Sequence, residues 1–388
     1  MNILGNTSNR IFGLDILRAC AIMFVVIGHG TSFLPQKLSK LCKFVFGYDG
    51  VSIFFVLSGF LIGGLLIKIL EKSRGEKKAL LKFWIRRWFR TLPPYFLILI
   101  LLLILNISFE DSFNLRTKLK FAVTFSTFTQ NLFYNHPGFF PEAWSLAIEE
   151  WFYLIIPPFI YLFVFFKKSP KLSFLFAALI TLVAVTLFRI SRYYNFPNDI
   201  INQWDYWDAV FRKQVITRLD SLMYGMIGAF LQFYYREYWL KYKKSLLCFG
   251  LFLFVAIKYL IDPNVSFESM YYCVFSFSVT SFATLLLLPY LSDFRTNKNG
   301  LIYKSITTIS LVSYSMYLIN LSLVQLWIIN KIPWQDLKIL SKFHLMLIIP
   351  YIIYWFLTIF LSMVIYKYYE VPMMNLRDNK TVKKWLRL

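Results

Sequence analysis

The chain is predicted to be an all-α, polytopic membrane helical bundle with about ten transmembrane helices, on three observations. Hydrophobic residues make up 58% of its 388 residues and the mean hydropathy is +0.57, well above soluble domains. Apolar stretches recur at close to the ~20 helical residues needed to cross a ~30 Å hydrocarbon core. Basic residues gather in alternate connecting segments. The formal net charge of +22 does not indicate nucleic acid, because no basic stripe with interleaved aromatics accompanies it.

Spans are expected near 11–33, 48–70, 88–106, 145–166, 172–190, 218–236, 245–261, 270–291, 305–330 and 344–366. With a cytosolic N-terminus, the inner segments are "EKSRGEKKALLKFWIRR", "KKSPK", "YYREYWLKYKK", "SDFRTNKNGLIYK" and "KYYEVPMMNLRDNKTVKKWLRL". They hold roughly twice as many Lys and Arg as the outer segments, as the positive-inside rule requires. Both termini are then cytosolic, and some of the basicity suits anionic membrane lipids. The first span is no cleavable leader: Asp15 and Arg18 break its apolar run, and no clean small-residue site follows. No repeat or soluble domain is visible, so residues 1–388 are expected to form a single membrane domain without a fused extracellular one. The outer segment 107–143 suits a re-entrant or interfacial piece.

Cys20, Cys42, Cys248 and Cys273 are scattered without ligand spacing, and so are His29, His136 and His344. Neither a disulfide framework nor a metal site is expected.

Three stretches put expensive groups in or beside hydrocarbon, where a charge at the centre costs about 2.5–3.5 kcal/mol even on the lenient insertion scale. The first is "LDILRACAIMFVVIGHG", residues 14–30. Arg18 and His29 are about 16 Å apart along a helix and within about 20° of one face. Asp15 lies near that face and is expected to neutralise part of the Arg18 charge. Separately, the arginine could snorkel and the histidine could make a packing hydrogen bond. Their common face argues for a joint role.

The second stretch is "FWIRRWFRTLPPY". Arg87 and Arg90, or Arg86 and Arg90, share a helical face. Guanidinium suits phosphate because its donors are planar, bidentate and never lost; ordinary positive-inside flanking is the plainer explanation. The third stretch is "EAWSLAIEEWFYLIIP". By depth, Glu149 or Glu150 can meet His29 and fix its tautomer, as a general base requires. The two point about 100° apart, and Glu149 is preferred.

These stretches resemble the acyltransferase 3 family, multi-pass acyltransferases of bacterial surface glycans and related metabolites. Arg18 and His29 match its Arg-x10-His element, Arg87 and Arg90 its Arg-x-x-Arg element, and "WSLAIEEWFYLIIP" its Trp-Ser-Leu…Glu…Phe-Tyr segment. "GVSIFFVLSGFLIGG", "TRLDSLMYGMIGAF", "SYSMYLIN" and "YYEVPMMNLRD" fit further motifs in order. Two departures stand out. Ser52 lies where many members are acidic, and Asn320 lies where a histidine is common.

The resemblance implies acyl transfer from cytosolic acyl-CoA, most often acetyl-CoA, to a hydroxyl of a cell-surface or lipid-linked saccharide, at the bacterial inner membrane. Acyl-CoA would be a co-substrate, with no permanently bound cofactor. Arg18, Arg87 and Arg90 would hold its anionic end, His29 would be the base and Glu149 would orient it. Ser52, Ser58 and Ser145 are possible relays. The rival class is a transporter or flippase of an anionic or lipid-linked saccharide, in which buried Arg, His and Glu form a relay; no paired half-repeats support it. Gly59 and Gly63 are expected to pack helices closely. Arg218 and Asp220 suit either an intrahelical pair or a substrate contact. Trp204, Tyr206 and Trp207 belong to an interfacial belt or a sugar-stacking surface.

Overall fold

The computed structural model describes residues 10–73, 77–109, 114–166, 169–196, 203–297, 300–334 and 348–377. His344 and the start of the last expected span lie outside these residues. The described residues form helices and turns, with no strand among them. The main helices are α1 Phe12–Gly30, α2 Gln36–Phe46, α3 Gly50–Ser73, α4 Lys77–Phe109, α5 Leu115–Ser126, α6 Ala143–Phe165 and α7 Pro170–Tyr194. They continue with α8 Gln203–Trp207, α9 Leu219–Tyr234, α10 Arg236–Lys241, α11 Lys243–Ala256, α12 Ser276–Leu291, α13 Leu301–Ile319 and α14 Ile349–Ile365.

Nine helical stretches among the described residues are long and apolar enough to cross a bilayer. The molecule is a polytopic helical membrane bundle. The expected span at 218–236 is the exception, because α9 has only 16 residues. Its position explains its shortness. It packs against α3, α7 and α12, so protein rather than lipid sets the length it needs. The segment expected to be re-entrant or interfacial contains α5, whose N-cap Asn114 accepts from the Thr117 N–H.

Small residues bring α3 and α9 together. A Cβ on Gly59 would stand 2.0 Å from the Leu222 carbonyl oxygen, and one on Gly225 2.0 Å from that of Val56. Neither backbone could keep its approach with a larger side chain. Gly63 packs on Met226 and Ala229 of α9, as the sequence leads one to expect.

Prolines inside helices remove backbone donors, and neighbouring helices make good the loss. Pro157 in α6 has no N–H for the carbonyl of Tyr153, four residues earlier. The Trp84 indole of α4 donates to that oxygen instead, at 2.7 Å. The aromatics are less lipid-facing than their number suggests: Trp144, Trp207 and Trp239 are buried, as are Phe55, Phe125, Phe140 and Phe152.

Candidate active site

Two neighbouring cavities divide the residues singled out by the sequence. A cavity of about 110 Å³ is lined by Arg18, Arg87, Arg90, Glu149 and Tyr153, with Ser58, Thr91 and Ser145 among its polar walls. A larger cavity of about 500 Å³ is lined by His29, Asp49, Glu142, Arg212 and Lys213, under aromatics that include Trp144, Trp204 and Trp207. Val51 and Tyr317 belong to both walls.

α1 sends Arg18 into the small cavity and His29 into the large one, as its periodicity requires. α4 adds Arg87 and Arg90 to Arg18, while Arg86 points outward and is exposed. None of the three cavity arginines makes an ion pair among the described residues. Arg87 stands over the Tyr153 ring at 5.3 Å, and its Nε has no hydrogen-bond partner among the described residues. Three guanidiniums around one small space repel one another, and a polyanion relieves that repulsion.

Glu149 belongs to this end. It accepts from the Tyr153 hydroxyl at 2.8 Å. Glu150 turns to α4 and accepts from Thr91 at 2.9 Å and from the Trp88 indole at 3.2 Å. The expected pairing of His29 with either glutamate is therefore corrected: both carboxylates are spent on partners at the arginine end.

His29 Nδ1 lies 2.6 Å from Asn320 Oδ1 instead. The amide nitrogen of Asn320 donates to the carbonyls of Met316 and Tyr317 at 2.9 and 2.8 Å. With its donors committed, the amide turns its oxygen to the imidazole. Nδ1 must then carry the proton, which leaves Nε2 with a free lone pair. A histidine so held can act as a general base, the asparagine fixing its tautomer without adding charge.

Asn320 begins a π-helical stretch, Asn320–Ile328, that prolongs α13. The change of winding frees backbone N–H groups, and Glu142 takes them: its Oε1 accepts from Leu321 N at 3.0 Å and Ser322 N at 2.7 Å. Burial pushes the Glu142 carboxyl up to about 7, against the pull of its bonds from Ser322 and Leu321.

Other expectations are revised by packing. Asp15 makes its hydrogen bonds with Arg10 and Ser310 and acts on Arg18 through its charge alone. The carboxylate that Ser52 seemed to remove is supplied by Asp49, which accepts from the Ser52 hydroxyl at 2.5 Å and lies 3.8 Å from Arg218. Arg218 and Asp220 do not pair with each other. Arg218 donates to Ser52 at 2.6 Å and stacks 3.9 Å over Phe277; Asp220 pairs with Arg189 at 2.7 Å. Trp204 and Trp207 join the cavity wall, and Tyr206 packs on Phe196 instead. Ser145 and Ser58 line the small cavity. The four cysteines are free, and no cluster of three or more potential metal ligands occurs among the described residues.

A family profile described as an acyltransferase domain matches residues 11–367. The chain belongs to the acyltransferase 3 family. It is similar to the peptidoglycan O-acetyltransferase OatA of Listeria monocytogenes serovar 1/2a, 35% identical over 172 residues, or 41% of this chain and 25% of that one. It is also similar to the O-acetyltransferase OatA of Staphylococcus aureus strain NCTC 8325, 30% identical over 229 residues, or 56% and 34% of the two chains. The chain thus matches between a quarter and about a third of the length of these relatives. No solved structure matches it.

Of the residues that carried the resemblance to the acyltransferase 3 family, Arg18, His29, Arg87, Arg90, Glu149 and Tyr317 line the two cavities, whereas "TRLDSLMYGMIGAF", Asn320 and Glu370 do not. Asn320, Glu142, Asp49 and Arg212 went unassigned in the sequence reading. Asn320 is marked there only as the departure at a motif position, with no role attached. Glu142 had only its place beside the Trp-Ser-Leu motif to mark it.

Proposed function

We propose that the protein is a membrane-embedded O-acyltransferase that moves an acetyl group from acetyl-CoA to a hydroxyl of a cell-surface or lipid-linked saccharide, at the bacterial inner membrane. The observation that carries this reading is the pair of cavities with a common wall, one lined by three arginines without ion pairs among the described residues and the other by an imidazole whose Nδ1 is held by Asn320.

Arg18, Arg87 and Arg90 bind the phosphates of the nucleotide end at the cytosolic side. The pantetheine arm carries the thioester past Tyr317 towards His29. The saccharide approaches from the outer side through the larger cavity, whose aromatics suit stacking on a sugar face. His29 Nε2 takes the proton of the attacking hydroxyl, a role worth about 10²- to 10⁴-fold in rate. Asn320 holds the imidazole in position. Glu149 neutralises part of the arginine cluster. The names of the two relatives, both O-acetyltransferases, support acetyl as the group, and that of the Listeria relative, a peptidoglycan O-acetyltransferase, supports a glycan as the acceptor.

The test is a titration of acetyl-CoA against the protein in nanodiscs, following binding and thioester loss together. Arg87→Ala with Arg90→Ala should weaken binding at least about tenfold. His29→Ala should bind normally and spare the thioester. A wild-type protein that neither binds nor consumes acetyl-CoA at millimolar concentration overturns the reading and favours transport of an anionic saccharide.

A further inference from the structure

The wall between the two cavities is made by Val51 and Tyr317. Val51 offers only methyl groups there; Tyr317 offers an O–H. Tyr317 sits one turn before Asn320 on α13, and the Asn320 amide donates to its carbonyl at 2.8 Å. One helix thus carries both this hydroxyl and the residue that orients His29. The ring is only 7% exposed and meets Phe54 edge-on at 6.4 Å.

Its hydroxyl lies 2.7 Å from Ser145 Oγ and 3.3 Å from the main-chain oxygen of Glu142. Ser145 Oγ reaches the same carbonyl at 3.3 Å. Two hydroxyl protons are shared among three oxygens, so one can be lent elsewhere. If Tyr317 turns its O–H to a substrate, Ser145 can donate to the Tyr317 oxygen, and a donor polarised in this way is strengthened. The nearby cations of the larger cavity are less free: Arg212 and Lys213 both form ion pairs with Asp208.

We propose that Tyr317 is a further catalytic residue, the O–H donor to the oxyanion formed on the thioester carbonyl, with Ser145 as its positioning residue. The proposal rests on the acyl-transfer reading. The acceptor oxygen bonds to the carbonyl carbon while its proton passes to His29 Nε2. The π pair of the C=O moves onto oxygen, where the Tyr317 O–H meets it. The pair then returns, the C–S bond breaks, and the departing CoA sulfur takes the proton from His29. An O-acyl ester and a free thiol result, and Tyr317 keeps its proton throughout.

The test uses the full chain in nanodiscs, with acetyl-CoA as probe and thioester loss to water as readout. Tyr317→Phe keeps the ring and its packing but removes the O–H. Loss of one such donor costs about 10²–10³-fold in kcat, and acetyl-CoA binding should stay within about twofold of wild type. Ser145→Ala should give a smaller fall of the same kind. If Tyr317→Phe turns over within threefold of wild type while His29→Ala is inert, the proposal is overturned and acyl transfer stands. If Tyr317→Phe also loses acetyl-CoA binding or thermal stability, its role is structural and the proposal is equally overturned. If wild type consumes no acetyl-CoA, both readings fall together.

Discussion

At the residue scale, the site turns on how buried polar groups find partners. An uncharged imidazole in a membrane interior is tolerable if one nitrogen is satisfied and the other faces a cavity, and Asn320 provides that arrangement for His29. Asn320→Leu, close in volume but without an acceptor, should lower kcat for acetyl-CoA consumption at least about tenfold with little change in binding. Single-turnover and binding measurements on the same nanodisc preparation separate the two effects. Glu142 makes a prediction of a different kind. Its carboxyl titrates near 7 when folded against an ordinary 4.5, because burial penalises the charged form. The folded state therefore binds more protons than the unfolded state between those values, and stability declines as pH rises through that window. Each unit of displacement is worth about 1.4 kcal/mol. Glu142→Gln keeps the acceptor for Leu321 and Ser322 but does not titrate, so its thermal midpoint in detergent should change less between pH 5 and pH 8. Equal changes in the two proteins would remove Glu142 as the source.

At the element scale, the α3–α9 seam positions Ser52 and Asp49 against Arg218 beneath the larger cavity. That closeness depends on glycine at the crossing. Gly59→Val would drive a branched side chain into the backbone at Leu222, where no rotamer relieves it. Overpacking costs about 1–3 kcal/mol, and a contact with backbone belongs at the top of that range. Gly64→Ala, on the same helix with nothing within 4 Å of the added Cβ, is the control and should be neutral or slightly stabilising. Thermal denaturation of both variants in detergent compares them directly; equal midpoints would show that the seam can open. The Trp84 bond to the carbonyl released by Pro157 belongs to the same scale. A helix broken by proline stays whole because a neighbour supplies the donor that its own chain lacks.

At the scale of the whole molecule, the charge distribution has a direction. The arginine cavity lies towards the start of α1, where Arg295 donates to the Arg10 carbonyl, and His29 and α2 lie at the other end. If the arginine end is cytosolic, α2 faces outward. In a cysteine-free background, Lys40→Cys on the exposed side of α2 should react with a membrane-impermeant maleimide added to intact cells. Reaction only after permeabilisation would invert the topology and put the arginine cavity on the wrong side for cytosolic acyl-CoA.

The sequence by itself determined the class of the molecule, the order of most of its spans and the common stripe of Arg18 and His29. Hydropathy and helical periodicity are local properties, and eleven steps along one helix return to the same face whatever surrounds it. It also set Arg86, Arg87 and Arg90 together at a membrane edge, and the family resemblance singled out Arg87 and Arg90 as companions of Arg18. Only the tertiary structure decided which groups meet. Asn320 is 291 positions from His29, and Glu142 reaches the π-helical stretch at Leu321 from 179 positions away. Depth along the membrane put Glu149 near His29, yet Glu142 lies at the level of His29, and Glu149, about two turns further along α6, lines the arginine cavity. The shortness of α9 was hidden for a similar reason, since lipid demands a fixed length and a protein neighbour does not. Spacing in the chain fixes angle and height on one helix. Which helices touch, and at what rotation, follows from small residues, proline breaks and changes of winding acting together across the bundle.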